Sequence, residues 1–139
     1  MYPNDPQFAQ SPPSTDSNRS VRILLVEDHE DTLRAMSRLL EKLDHRVVTA
    51  NCMKSALHAA TLENFDLLIS DLGLPDGTGL DLMRQLLDRA PIRGIALSGY
   101  DSDDDLEETR AAGFSAHLTK PIDFAALQIA IRTIADEDN

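Results

Sequence analysis

Residues 67–79 read Leu-Leu-Ile-Ser-Asp-Leu-Gly-Leu-Pro-Asp-Gly-Thr-Gly, and this stretch decides the fold. A short, almost wholly apolar run ends in Asp71, and a segment rich in glycine and proline follows. Continuous apolar runs are typical of strands buried on both faces, as in parallel sheets. The sequence therefore predicts a buried strand that presents a carboxylate at its carboxyl end.

Four more short apolar runs occur along the chain, and segments with helical spacing separate them. Five strands that alternate with five helices predict an α/β fold, in which helices cover both faces of a parallel sheet. The predicted strands cover residues 21–26, 46–50, 67–70, 94–97 and 116–119.

The helical segments allow more detailed predictions. Asn51 is a candidate N-cap for the second helix. The fourth helix, at about 102–112, has Leu106 as its only large apolar residue, so we expect it to be weakly anchored, with Gly113 as its C-terminal stop. The inner stripe of the third helix is predicted to consist of Leu80, Met83, Leu87 and Ala90.

Composition limits the classes of function. A chain of 139 residues with 42% apolar residues suits one soluble domain. The net charge of −11, without a basic patch, argues against binding to nucleic acid or to an anionic membrane. No apolar run is long enough to span a bilayer, and no secretory signal is visible. A single cysteine, Cys52, excludes an internal disulfide and favours a cytoplasmic location.

The chain divides into three parts by composition. Residues 1–20, rich in proline and serine, are predicted to be a flexible tail or linker. The folded domain is predicted to cover residues 21–135, and residues 136–139 form an acidic end.

Polar side chains follow four of the five predicted strands. Glu27 and Asp28 follow the first strand, Asp71 the third, Ser98 the fourth and Lys120 the fifth. In an open parallel sheet, ligands bind beyond the carboxyl ends of the strands. An acid after a strand is often only a helix cap, but the combination favours a shared site.

The chemistry of this set points to phosphoryl transfer. Crowded carboxylates repel one another unless a cation lies among them, and Mg²⁺ is the simplest hard cation with oxygen ligands. Lys120 would supply a second positive charge and Ser98 a hydrogen-bond donor, which suits the placing of a phosphoryl group. A carboxylate held there can act as a nucleophile.

Four segments resemble the signatures of response-regulator receiver domains. They are Ile-Leu-Leu-Val-Glu-Asp-His at 23–29, Ser-Asp-Leu-Gly-Leu-Pro-Asp-Gly-Thr-Gly at 70–79, Leu-Ser-Gly at 97–99 and Leu-Thr-Lys-Pro at 118–121. The resemblance covers about residues 21–135. It implies a flavodoxin-like (βα)5 fold whose parallel strands lie in the order 2-1-3-4-5.

The resemblance also implies a role for each site residue. Asp71 would accept a phosphoryl group from a phosphohistidine. Asp28, Asp71 and the backbone carbonyl of Gly73 would bind Mg²⁺, and Glu27 would bind it directly or through water.

Three further roles follow from the same resemblance. Lys120 would contact Asp71 before transfer and the phosphoryl oxygens afterwards. Ser98 would swing toward the phosphoryl group as the trigger of the switch. Pro121 would follow Lys120 through a cis peptide bond.

One position departs from the family pattern. Receivers usually carry an aromatic residue three positions before the lysine, and this chain has His117 there. A histidine at the edge of the solvent is the interpretation we favour. The alternatives are that His117 couples to the Ser98 switch, or that Tyr100 replaces the missing ring.

The leading functional hypothesis is a phosphotransfer switch in two-component signalling. Phosphorylation would repack the face formed by the fourth helix, fifth strand and fifth helix. The same face is a candidate interface for a homodimer. A histidine kinase or histidine phosphotransfer protein is expected to dock near Leu33 and Pro121. The isolated domain would catalyse only its own phosphorylation from phosphodonors and slow autodephosphorylation.

The parent protein and the competing functions stay open. The chain fits either a stand-alone regulator or the receiver of a hybrid histidine kinase. The segment at 73–80 resembles the corresponding segment in receivers of hybrid kinases. The main alternative function is a receiver-like binding module that works without phosphorylation. A dehalogenase-type phosphatase would need an aspartate at the position of Gly73, and a topoisomerase-primase site would need an Asp-x-Asp pair after the third strand, so the sequence disfavours both enzyme classes. The acidic residues at 27–31 would repel the phosphate of a bound flavin, which disfavours a flavin-binding protein.

Overall fold

The computed structural model describes residues 20–99 and 103–137. The predictions for residues 1–19 and 138–139 lie outside the described residues. The strands are β1 (Arg22–Val26), β2 (Arg46–Ala50), β3 (Leu67–Asp71), β4 (Gly73–Leu74), β5 (Gly77–Thr78), β6 (Arg93–Ser98) and β7 (Ala116–Thr119). The helices are α1 (Glu30–Lys42), α2 (Met53–Leu62), α3 (Gly79–Arg89), α4 (Asp103–Ala112) and α5 (Phe124–Glu137).

The five long strands form one parallel sheet in the order β2-β1-β3-β6-β7. The remaining strands, β4 and β5, are a short antiparallel hairpin between β3 and α3. With the hairpin set aside, the order is 2-1-3-4-5, so the predicted flavodoxin-like fold is confirmed. The order places β3 at the centre of the sheet, where all five of its residues are buried.

The alternating side chains of the strands build one core on each face of the sheet. On one face, Leu25 and Ile69 pack with Met36 of α1 and Leu127 of α5. On the other face, Leu68 packs against residues of α2, α3 and α4. Burial on both faces explains why the strands read as continuous apolar runs rather than as alternating ones.

The third helix packs through a different stripe from the one predicted. Leu82, Met83 and Leu86 are buried, whereas Leu87 is 40% exposed and Ala90 is exposed. The reason is tertiary: the helix begins at the buried Gly79, whose nitrogen donates a hydrogen bond to the Leu72 carbonyl oxygen 2.8 Å away. This close start rotates the helix by about one residue relative to the prediction.

The start of α2 also differs from the prediction, which placed the N-cap at Asn51. Cys52 is the N-cap, and its sulfur is 3.5 Å from the Ser55 nitrogen. The carboxylate of Asp76, from the β4–β5 turn, accepts hydrogen bonds from the nitrogens of Met53 and Lys54. A cap supplied by a distant residue leaves no local pattern, so sequence spacing could not reveal it.

The packing of α4 and the C-terminal ends of α4 and α5 can be compared with the predictions. The side chains of Thr109 and Ala112 are buried, and Leu106 is half-buried, among the described side chains of α4. Gly113 has a φ of 113° and ends that helix, as predicted. Helix α5 continues to Glu137, so part of the segment predicted as an acidic end is helical. Across residues 20–99 and 103–137, none of the helices is long and apolar enough to cross a membrane.

Gly113→Ala should lower the free energy of unfolding by about 1–3 kcal/mol, because an alanine at this positive φ is strained. A Cβ there would also lie 2.4 Å from Leu87 Cδ1, although that side chain is able to shift. Urea denaturation followed by circular dichroism measures the difference. Gly99→Ala is the matched control, because no atom lies within 4 Å of its Cβ position. Equal stability for the two variants would contradict the expectation.

Candidate functional site

The carboxyl ends of β1, β3, β6 and β7 meet at one edge of the sheet, where a crevice of about 440 Å³ opens. Backbone hydrogen bonds fix the residues that follow the strands. The Glu27 nitrogen donates to the Ala50 carbonyl oxygen at 3.1 Å, and the Lys120 nitrogen donates to the Ser98 carbonyl oxygen at 2.7 Å. The predicted site residues Asp28, Asp71, Gly73, Ser98 and Lys120 all line this crevice.

Three carboxylates converge at the crevice. One oxygen from each of Glu27, Asp28 and Asp71 lies within 4.8 Å of the other two. Glu27 is completely buried and Asp71 is 3% exposed, whereas Asp28 is exposed. The cluster thus has two desolvated carboxylates on the inside and one on the solvent side, and its oxygens are of the type that hard cations prefer as ligands.

Lys120 reaches into the cluster from β7. Its Nζ is 2.6 Å from Asp71 Oδ1 and 3.1 Å from Glu27 Oε1. Asp71 Oδ1 is buried and receives no hydrogen bond of good geometry, although the ammonium lies close to it. Glu27 is also held from the other side, because its Oε2 accepts a hydrogen bond from the His29 nitrogen at 3.0 Å.

Burial raises the pKa of Asp71 to about 7, and the neighbouring Glu27 adds to the effect, while Lys120 opposes it. Burial also acts to raise the pKa of Glu27, but hydrogen bonds with Asp71, the His29 nitrogen and Lys120 outweigh it, so that the pKa is lowered. Burial acts to lower the pKa of Lys120, yet its close contacts with the carboxylates of Asp71 and Glu27 raise it. The Asp71 carboxyl is therefore partly protonated near neutral pH.

The backbone packs closely around the acceptor position. The Ser70 hydroxyl donates to the Asp71 carbonyl oxygen at 2.8 Å. A Cβ on Gly79 would lie 2.2 Å from the same oxygen, so a side chain is excluded there. A glycine eight residues after Asp71 therefore lets the start of α3 press against the end of β3.

Two of the residues predicted as a switch, Ser98 and His117, lie on the neighbouring strands β6 and β7 but line different spaces. Ser98 ends β6 and is 6% exposed. His117 does not line the crevice but a separate space of about 60 Å³ between α4 and β7. Its Nε2 is buried and has no hydrogen-bond partner among the described residues, which a histidine at the solvent edge would not show. Tyr100 lies outside the described residues. The peptide bond before Pro121 is cis, as predicted.

Sequence reasoning missed the contribution of α4 to the crevice. Asp105, Glu108 and Thr109 line it, opposite the β3 end. Their spacing of three and four residues places them on one helix face, which is the signal that identifies them as a group.

Comparison with known proteins matches this architecture and site. The sequence profile of the response regulator receiver domain matches residues 23–132. The chain belongs to this family. Its place in two-component signalling follows from that membership.

Two relatives and one structure illustrate the range of similar proteins. The chain is 36% identical over 123 residues to the sensory/regulatory protein RpfC of Xanthomonas campestris, covering 85% of this chain and 16% of RpfC. It is 30% identical over 142 residues to the hybrid signal transduction histidine kinase D of Dictyostelium discoideum, covering 91% of this chain and 9% of that protein. A CheY-like receiver domain protein from Methanospirillum hungatei is 28% identical, with a TM-score of 0.80, covering 85% of this chain and 95% of that one. The chain thus spans only a small part of these two sequence relatives.

Asp71→Asn should stabilise the protein in the presence of a chelator, and the gain should grow as the pH rises from 5 to 8. The folded state holds a proton on Asp71 up to pH about 7, whereas the unfolded chain releases it near 3.8, so stability is lost as the pH rises through this window. The gain at pH 8 should be about 1–3 kcal/mol.

Thermal unfolding at several pH values tests this expectation. The control is Asp81→Asn, which replaces an exposed carboxylate on α3. A difference between Asp71→Asn and the parent that stays constant with pH would contradict the raised pKa.

Proposed function

We propose that the protein is a phosphorylation switch in which Asp71 accepts a phosphoryl group from a phosphohistidine. The observation that carries this proposal is the buried Asp71 carboxylate, with the Lys120 ammonium 2.6 Å away and two further acids beside it. A carboxylate in this setting is a nucleophile placed next to a fixed positive charge. Membership of the receiver family supports the same chemistry.

The residues present fit a Mg²⁺ ion. Three carboxylates within 4.8 Å, the raised pKa of Asp71 and a buried oxygen without a good hydrogen bond all favour an added cation. We propose that Asp28, Asp71 and the Gly73 carbonyl hold the ion, with Glu27 acting directly or through water. When bound, the ion would offset the negative charge of the carboxylates and the phosphoryl oxygens.

In the proposed transfer, a carboxylate oxygen of Asp71 attacks phosphorus. The new oxygen–phosphorus bond forms as the phosphorus–nitrogen bond breaks, and the electron pair of that bond leaves with the imidazole of the donor. Lys120 would stabilise the charge on the phosphoryl oxygens, because its ammonium already faces Asp71. Ser98, at the end of β6, would donate a hydrogen bond to the phosphoryl group after transfer.

The proposed output is a repacking of the face formed by α4, β7 and α5, through a shift between two populated states. The donor would be a histidine kinase or a histidine phosphotransfer protein that docks near Leu33 and Pro121. The parent would be a stand-alone regulator or, as for the matched Dictyostelium discoideum protein, a hybrid histidine kinase. The proposed setting is the cytoplasm, which suits the free thiol of Cys52.

Incubation with acetyl phosphate and Mg²⁺ should add one phosphoryl group to the parent protein and none to Asp71→Asn. Intact-mass spectrometry measures the adduct, and a chelator should prevent it. Asp66→Asn, at the opposite end of β3, is the control and should be phosphorylated as the parent is. An adduct on Asp71→Asn would refute the assignment of the acceptor. A parent that accepts neither from acetyl phosphate nor from a phosphorylated histidine donor would favour the binding module instead.

Lys120→Met should slow formation of the adduct by about 10²-fold, because the variant loses the positive charge that faces the phosphoryl oxygens. The rate is measured by quenching the reaction at intervals and determining the phosphorylated fraction. Lys42→Met, in the exposed last turn of α1, is the matched control. Rates within twofold for the two variants would contradict the proposed role of Lys120.

A further inference from the structure

The hairpin β4–β5 follows Asp71 closely in the sequence and is attached to the start of α2, which lies earlier in the chain. Its turn residue Asp76 accepts a hydrogen bond from the Met53 nitrogen through Oδ1, at 2.7 Å. The other oxygen, Oδ2, accepts one from the Lys54 nitrogen at 2.9 Å. Both oxygens of one carboxylate thus bind the first two residues of α2.

This contact supplies what α2 lacks locally. The first nitrogens of a helix have no partner within the helix, and a side chain before the helix usually accepts from them. The N-cap of α2 is Cys52, whose sulfur is a weak acceptor at 3.5 Å from the Ser55 nitrogen. The negative charge of Asp76 also lies at the positive end of the helix dipole. The hydrogen bonds from the Lys54 and Met53 nitrogens lower the pKa of Asp76.

Packing next to Asp76 strengthens the attachment. A Cβ on Gly77 would lie 2.7 Å from Met53 Sδ, so the hairpin rests directly on the first side chain of α2. At its other end, the hairpin pairs Gly73 with Thr78, and Thr78 is the N-cap of α3. The loop is therefore held at α2, at α3 and at the end of β3.

The inference rests on the proposed function, because Gly73 is the residue proposed to offer its carbonyl to Mg²⁺. Gly73 is exposed, and nothing lies within 4 Å of its Cβ position, so its backbone pairing with Thr78 in the hairpin, rather than side-chain packing, holds it in place. Its position therefore depends on the hairpin, and the Asp76 hydrogen bonds are the contacts that attach the hairpin to α2. An error of about 1 Å in a ligand position is enough to impair a site of this kind.

We propose that Asp76 is a positioning residue for the phosphoacceptor site: by binding the N-terminus of α2, it fixes the hairpin that carries Gly73. Loss of the Asp76 carboxylate would release the hairpin without touching Asp71, Asp28 or Lys120. The effect would therefore appear in Mg²⁺ affinity and in the mobility of the hairpin backbone.

The test compares Asp76→Ala, Asp76→Asn and Asp66→Ala at a temperature well below the unfolding transition of each variant. Asp66 is the matched control, because its carboxylate also accepts from a backbone nitrogen, that of Arg22 at 2.9 Å, but at the opposite end of the sheet. Isothermal titration calorimetry measures Mg²⁺ affinity. Hydrogen exchange measures the protection of the amides at 73–78.

Asp76→Ala should weaken Mg²⁺ binding about tenfold and speed hairpin exchange by a similar factor, which corresponds to the loss of about one hydrogen bond's net free energy. Asp76→Asn keeps one oxygen acceptor and should fall between Asp76→Ala and the parent. Asp66→Ala should match the parent in both measurements, whatever its loss of stability.

Two results would overturn the inference. One is an Asp76→Ala variant with parental Mg²⁺ affinity and parental hairpin exchange. The other is an Asp66→Ala variant that impairs both as strongly, since the effect would then reflect stability alone. If the parent itself binds no Mg²⁺ and accepts no phosphoryl group, the proposed function fails, and hairpin exchange alone decides whether Asp76 holds the loop.

Discussion

The crowding of Glu27 and Asp71 around one ammonium group is the constraint on which the rest of the site depends. Two carboxylates that are almost fully removed from water carry a large desolvation cost, and Lys120 offsets only part of it. The apolar strands that bury these acids belong to the two hydrophobic cores of the domain. The fold therefore maintains a local charge imbalance because the surrounding core more than compensates for it.

Such an imbalance makes the site responsive to charge. Adding a cation would relieve the repulsion between the carboxylates, whereas a phosphoryl group on Asp71 would make the site more negative and shift the negative charge outward from the carboxylate. The acids of α4 that line the same crevice, Asp105 and Glu108, lie where a new negative charge would act on them. Few described side chains of α4 are buried, so little core packing opposes a response of this helix to a change of charge in the crevice.

The sheet and the central site residues could be predicted because their signals are local. Asp71 and Lys120 each end a short apolar run, and parallel strands bring such ends together whatever the detailed packing. The Asp76 cap of α2 and the inner stripe of α3 could not be predicted, because both depend on how distant segments meet. The stripe shifted because α3 starts against the Asp71 carbonyl, a contact that helical spacing does not encode.

Thr109 forms part of the wall of two separate spaces, the crevice that holds Asp71 and the small space beside His117. It is 3% exposed, and its hydroxyl is already engaged with the Asp105 carbonyl oxygen at 2.7 Å. One side chain thus acts as a partition. Because the same side chain lines both spaces, a displacement of α4 at Thr109 would change the shape of both at once.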